Sequence, residues 1–148
     1  MNENKNHWYD GWFYDIFIAP NQDRLFGQIK NLIGQDSKVI DVGCGTGRFS
    51  FSIASKCKSV LGMDISQKNI YRANRNLLQK PNDNISFQHT TLNQLISKEH
   101  FDYAVSTYVI HEVDENERIN LLNDMSEIAD KIIIGDYLCP NKIGLRNV

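Results

Sequence analysis

The stretch Val39-Ile-Asp-Val-Gly-Cys-Gly-Thr-Gly47 sets three glycines at alternating positions directly after a short β-rich run, Lys38 to Val42. Behind the loop, Phe49, Ile53, Ala54 and Cys57 recur on one helical face, so the local order is strand, glycine turn, helix. Glycine is needed where another molecule must approach the backbone closely, or where a turn requires positive φ angles that a side chain opposes. Three of them so close together exceed what a tight turn alone demands and mark a candidate ligand loop.

The same alternation continues outward in both directions. Before the loop, Leu25, Phe26, Ile29, Leu32 and Ile33 have helical spacing, with Asn21 as cap and Gly34 as stop. After it, Ser59 to Met63 reads as a second strand closing at Asp64, and Ser66 caps a helix with an apolar face of Ile70, Ala73, Leu77 and Leu78. Lys68, Arg72 and Arg75 are assigned to the solvated side of that helix. Beyond the turn Pro81-Asn-Asp-Asn84, the runs Ile85 to His89, Phe101 to Thr107 and Lys131 to Gly135 read as third, fourth and fifth strands. Between the last two, Asp114 and Glu117 form a capping-box-like start to a helix whose face is Leu121, Leu122, Met125, Ile128 and Ala129. Strands alternating with helices imply an α/β fold, a three-layer doubly wound sheet that is mainly parallel, with five strands and helices on both faces. No repeat or linker divides residues 21–148, which read as one domain behind an aromatic segment, residues 1–20.

Bulk properties narrow the partners. The chain has 148 residues, enough for one domain with its own core. Sixteen Lys and Arg against eighteen Asp and Glu give a formal net charge of −2, which offers no footprint for a polyanion, so nucleic acid is not an expected partner. Apolar runs such as Ile132-Ile133-Ile134 fall far short of the roughly 20 residues needed to cross a bilayer, and no membrane association is expected. Met1 to His7 is polar and lacks the apolar core of a secretory signal, which points to a cytoplasmic location. Cys44, Cys57 and Cys139 are odd in number and scattered, so they are read as free thiols, and no spacing argues for a metal.

Ligands of doubly wound sheets bind beyond the carboxyl ends of the strands, where the strand order reverses, and the first strand delivers Asp41, Gly43, Gly45 and Gly47 to that edge. The dinucleotide pattern G-x-G-x-x-G, counted from Gly43 and Gly45, wants glycine where this chain has Arg48. Asp64 has the acidic spacing that suits a ribose diol for either ligand.

The pattern D-x-G-x-G-x-G, with strand and helix around it and Asp64 closing the second strand, resembles the class I S-adenosylmethionine-dependent methyltransferases. The resemblance runs from Asn21 to about Leu138. It implies a Rossmann-like sheet in the order 3-2-1-4-5 and S-adenosylmethionine as cofactor. Position by position, it implies that the loop Asp41 to Gly47, Cys44 included, lies against the methionine part of the cofactor. Asp64 then holds the ribose hydroxyls, and Ile65 lies along the adenine. Where the family often places an acidic residue near the adenine amine, this chain reads His89-Thr-Thr-Leu-Asn93, so Thr91 or its backbone serves there with Leu92 packing on the ring. The segment Phe101 to His111 looks like the family's fourth strand and following loop, which implies that Ser106, Thr107 and Tyr108 border the methyl group and the acceptor pocket.

Methyl transfer on this scheme is an in-line displacement whose leaving group departs as a neutral thioether, so positioning supplies most of the rate. A base matters only if the nucleophile arrives protonated, and the imidazole of His111 is suited to that task. A lone loop histidine is also read as a structural hydrogen bonder. Glu112 and Asp114 either orient it or bind an acceptor amine, or else are plain loop and cap residues.

Two ends of the chain carry expectations of their own. In His7-Trp-Tyr-Asp-Gly-Trp-Phe-Tyr-Asp-Ile-Phe17, seven of eleven residues are aromatic or histidine. Small-molecule members of the family often close such a segment over the cofactor, a role open to Tyr9, Trp12 and Tyr14, whose faces suit a sulfonium cation. The alternative is that they pack as core. At the other end the resemblance implies a sixth and seventh strand in an antiparallel hairpin, yet Val148 follows soon after the fifth strand. Truncation, a second copy covering the apolar edge in a homodimer, and a naturally short form each account for this, and the first two are favoured.

The expected function is methyl transfer from S-adenosylmethionine to O, N or C of a small molecule. The alternative is a cofactor-binding or interaction module without turnover because its C-terminal part is missing. A nicotinamide-dependent oxidoreductase is disfavoured by Arg48 and by the position of Asp41.

Overall fold

Five strands, β1 (Ser37–Val42), β2 (Cys57–Asp64), β3 (Ile85–His89), β4 (Phe101–Thr107) and β5 (Ala129–Gly135), form one sheet in the order β3-β2-β1-β4-β5. Every neighbouring pair is parallel. The computed structural model describes residues 19–136. The expected strand order and α/β class are therefore present, and the order reverses between β1 and β4.

Strand alternation sends successive residues of β1 to opposite faces, and each face carries its own cluster. Val39 joins Val60 and Val105 under helices α1 (Ala19–Leu32) and α2 (Arg48–Ile53), through Phe26, Ile29, Phe49 and Ile53. Phe26 and Phe49 meet edge to face at 5.2 Å and lock the two helices together. Ile40 and Val42 face the other way, toward α4 (Leu92–Leu95) and α5 (Glu115–Ile128). Met125 and Ile128 of α5 have no exposed surface, and truncating either to alanine costs about 2–5 kcal/mol at such positions. Helix α3 (Gln67–Gln79) covers β2 and β3, with Leu77 packed against the α1–α2 cluster.

Several local expectations are corrected. Helix α1 begins at Ala19, so Asn21 lies inside it rather than at its cap. Helix α2 tightens into a 3₁₀ turn over Ala54–Lys56, and Cys57 is the first residue of β2 rather than part of a helical face. Leu78 is 81% exposed, so the buried face of α3 is Ile70, Ala73 and half-buried Leu77. Ala129 begins β5 instead of ending α5. Helix α4, four residues long, adds an element beyond those the sequence pattern predicts. Ser66 and Asp114 do cap their helices, accepting from the backbone N–H of Asn69 at 3.3 Å and of Glu117 at 2.9 Å.

Candidate active site

The loop after β1 is held by hydrogen bonds that point inward. The N–H groups of Gly43 and Cys44 both donate to Met63 O at 2.9 Å, that of Gly45 donates to Asp64 Oδ2 at 2.9 Å, and that of Gly47 donates to Cys44 O at 2.9 Å. These amides are committed within the protein, so the loop is not a nest of free donors of the kind that grips a pyrophosphate.

All three loop glycines have positive φ, but for different neighbours. A Cβ on Gly43 would meet Val109 Cγ2 at 2.5 Å, and one on Gly47 would meet the ring of Phe87 at 2.4 Å. A Cβ on Gly45 would meet no protein atom within 4 Å. Gly43 and Gly47 are thus glycines for packing, and Gly45 alone faces open space.

That space is a cleft of about 920 Å³ at the carboxyl ends of β1, β2 and β4. Of the residues expected at the site, Gly43, Cys44, Gly45, Asp64, Ile65, Thr91, Leu92, Thr107 and His111 line it together. Ile65 is an apolar side chain on its lip, 74% exposed. Tyr9, with Trp12 and Tyr14, lies outside the described residues.

Asp41 and Gly47 do not line the cleft. Asp41 shares the face of Val39, so its fully buried carboxylate points under the loop and accepts from Ser50 Oγ at 2.6 Å. Burial pushes its pKa up to about 7, against the Ser50 bond and aided by the charge of Asp64. Burial, with the charges of Asp41 and Asp64, likewise raises the Cys44 thiol well above its ordinary range, which favours the protonated thiol.

Asp64 is the hinge of the site. Its Oδ1 accepts from Ser66 N–H at 2.7 Å and its Oδ2 from Gly45 N–H, with Asn69 Nδ2 at 3.4 Å, which ties the β2 end to the glycine loop. Asn76 Nδ2 donates to Thr46 O at 3.1 Å and steadies the loop from α3. Arg48 donates to Gln22 Oε1 at 3.0 Å and to Asp23 Oδ1 at 2.9 Å, closing α1 over the loop's far side.

Across the cleft, Thr107 ends β4 and Tyr108 follows at φ 58°, a left-handed turn that a non-glycine residue seldom adopts. His111 comes next in a 3₁₀ turn, Ile110–Glu112. Its partner is neither Asp114, which is spent as a helix cap, nor chiefly Glu112, but Asp136, a residue the sequence reading did not single out. Ser106 is buried and does not line the cleft.

A family profile described as "Methyltransferase domain" matches residues 39–131, from β1 into β5. The chain is 28% identical over 137 residues to the O-antigen chain terminator bifunctional methyltransferase/kinase WbdD of Escherichia coli, across 83% of this chain and 19% of that protein. It is 48% identical over 66 residues to the uncharacterized RNA methyltransferase YwfF of Lactococcus lactis, across 43% of this chain and 13% of that protein. The chain thus spans about a fifth or less of the length of these curated relatives. In fold it is similar to the N-methyltransferase NodS of Bradyrhizobium japonicum in complex with S-adenosyl-L-homocysteine, with a TM-score of 0.67, 22% identity, and coverage of 81% of this chain and 61% of that one. Profile, strand order and glycine loop agree, and the chain belongs to the methyltransferase-domain family, of the class I S-adenosylmethionine-dependent type.

Proposed function

We propose that this chain binds S-adenosylmethionine in the cleft and transfers its methyl group to O, N or C of a small molecule. The observation that carries the reading is the open space before Gly45, bounded by Asp64 on one side and Thr107 on the other. The residues present fit the group. Asp64 accepts from two backbone N–H groups and, at 3.4 Å, from Asn69 Nδ2, yet a carboxylate has about four acceptor positions, leaving one for a ribose hydroxyl and a second if the long Asn69 contact yields. Ile65 and Leu92 supply apolar surface for an adenine, and Thr91 and Asn93 lie beside them. The committed amides of Gly43, Cys44 and Gly45 favour a ligand with donor groups over a pyrophosphate.

Bound there, the cofactor supplies an electrophilic sulfonium methyl and leaves as a neutral thioether. The protein's part is to fix the donor against Gly45 and Asp64, hold the acceptor near Thr107 and exclude water. His111, Glu112, Glu117 and Asp124 line the acceptor side, while Arg48 is engaged with Asp23. An acidic wall suits a neutral or cationic small molecule better than a polyanion. RNA is the second reading, favoured by the likeness to YwfF.

Calorimetric titration with S-adenosylmethionine, S-adenosylhomocysteine and NAD, alongside Asp64→Ala, tests the cofactor. Binding of the first two, weakened about tenfold or more by the substitution, is expected. Binding of NAD alone would sink the reading. Release of S-adenosylhomocysteine with small amines, phenols and carboxylates, or instead with transcribed RNA, then separates the two acceptor classes. Binding without release on either would leave the turnover-free module. The homodimer expectation attaches to the outer edge of β5, where Ile132 and Ile134 are 37% and 38% exposed. A monomer mass in sedimentation would remove it.

A further inference from the structure

The cleft is lopsided in charge. Among the described residues, the carboxylates of Asp64, Glu112, Glu117 and Asp124 line it against a single guanidinium, that of Arg48. Such a site attracts a cation, whereas a carboxylate brought into it is repelled unless a positive group meets it. S-adenosylmethionine carries both kinds of charge, a sulfonium and an ammonium beside a carboxylate.

Arg48 opens α2, just beyond the glycine loop, and its guanidinium is held in place. Nη1 donates to Gln22 Oε1 at 3.0 Å and Nη2 to Asp23 Oδ1 at 2.9 Å. Gln22 is 3% exposed and itself lines the cleft, so the guanidinium is fixed at the cleft wall by a buried partner. Asp23 reaches it from the solvent side, where its side chain is 68% exposed. A planar guanidinium has more N–H donors than these contacts use, enough to hold a carboxylate as well. The exposed bond to Asp23 is screened by water and contributes little, so it competes weakly with a ligand.

We propose that Arg48 anchors the α-carboxylate of the cofactor, and that the site thereby selects S-adenosylmethionine over adenosyl sulfonium ligands that lack this group. The proposal rests on the cofactor reading above. Asp64 and Arg48 stand on either side of Gly45, the one ending β2 and the other beginning α2. A ligand held by its ribose at Asp64 and laid across Gly45 therefore brings its amino-acid end to the wall formed by α1 and α2. There Arg48 supplies the charge that the carboxylate needs, while the acids across the cleft suit the sulfonium and the ammonium. Loss of the guanidinium should then change selectivity as well as affinity. With the acids left uncompensated, the decarboxylated form of the cofactor, which is more positive, becomes the better match.

Calorimetric titration of the full chain with S-adenosylmethionine and with decarboxylated S-adenosylmethionine tests this. The wild type is expected to bind the first about tenfold or more tightly than the second. Arg48→Gln should bind S-adenosylmethionine roughly tenfold more weakly and the decarboxylated form at least as well as before, so that the ratio falls to about one or below. Arg48→Lys, which keeps the charge without the planar fork, should retain part of the preference. Asp23→Asn removes the surface ion pair but not the guanidinium, and should keep the wild-type ratio. A cooperative melting transition in each variant ensures that the ratios are read on folded protein. Equal binding of the two ligands by the wild type, or a wild-type ratio surviving in Arg48→Gln, would overturn the anchor and leave the cofactor reading standing. Binding of neither ligand by the folded wild type would overturn both.

Discussion

Ser50 Oγ donates a 2.6 Å hydrogen bond to Asp41 Oδ2 at a point where neither residue has any exposed surface. The other carboxylate oxygen, Oδ1, is buried and has no partner among the described residues. A carboxyl whose pKa stands at about 7 therefore sits directly beneath the glycine loop, supported from one side only.

That arrangement makes stability fall as pH rises. In the unfolded chain Asp41 ionises near its ordinary 3.8, whereas in the folded protein it holds its proton until about 7. The folded state thus binds more protons between those values, and the stability it draws from the neutral carboxyl is full below 3.8 and lost as pH rises through 7. The shift corresponds to about 4 kcal/mol between the two limits. Asp41→Asn imitates the neutral form, so its melting temperature should exceed that of the wild type by a margin that widens from pH 4 to 7 and then levels off. Parallel melting curves across that range would show that the buried carboxyl is not what titrates.

Gly45 and Gly47 should separate binding from folding. Gly47→Ala forces a Cβ to 2.4 Å from Phe87 Cζ at φ 89°, combining a left-handed penalty with overpacking, and is expected to cost about 3 kcal/mol. Gly45→Ala meets no protein atom and should cost about 1 kcal/mol for its φ of 55° alone. Its methyl group would instead stand in the cleft. Denaturant melts should therefore rank Gly47→Ala as the worse folder, while calorimetry ranks Gly45→Ala as the worse binder among folded variants. Equal affinity of Gly45→Ala and wild type for S-adenosylmethionine would mean that the ligand does not pass over this loop.

How far the sequence discloses this site depends on how local each determinant is. The alternating glycines, the Asp64 that closes β2 and the capping residues Ser66 and Asp114 act over a few residues and are legible as patterns. Resemblance puts Asp41 against the ligand, but its parity with Val39 on a strand assigns it to the α2 face, where Ser50 waits. Helix α4 has four residues, little more than one turn, too short for any periodicity to show. The ring of Phe87 beneath Gly47 and Gly62, and the carboxylate of Asp136 against His111, are set by which strands lie side by side. Those contacts follow from register rather than spacing.

Arg48 puts the choice between ligand classes to a direct test, because it occupies the position where a dinucleotide loop has glycine. Arg48→Gly creates the G-x-G-x-x-G spacing from Gly43, yet it leaves the amides of Gly43, Cys44 and Gly45 bonded to Met63 and Asp64 as before. Glycine spacing permits a pyrophosphate to approach, but free N–H groups are what bind it. The variant also strips the guanidinium from buried Gln22, a loss of about 1 kcal/mol, while the exposed contact to Asp23 contributes little. The expected outcome is a slightly less stable protein that still binds S-adenosylmethionine and has gained no measurable affinity for NAD. Acquisition of NAD binding by Arg48→Gly would show that the side chain at position 48, and not the inward-turned amides, is what excludes a dinucleotide.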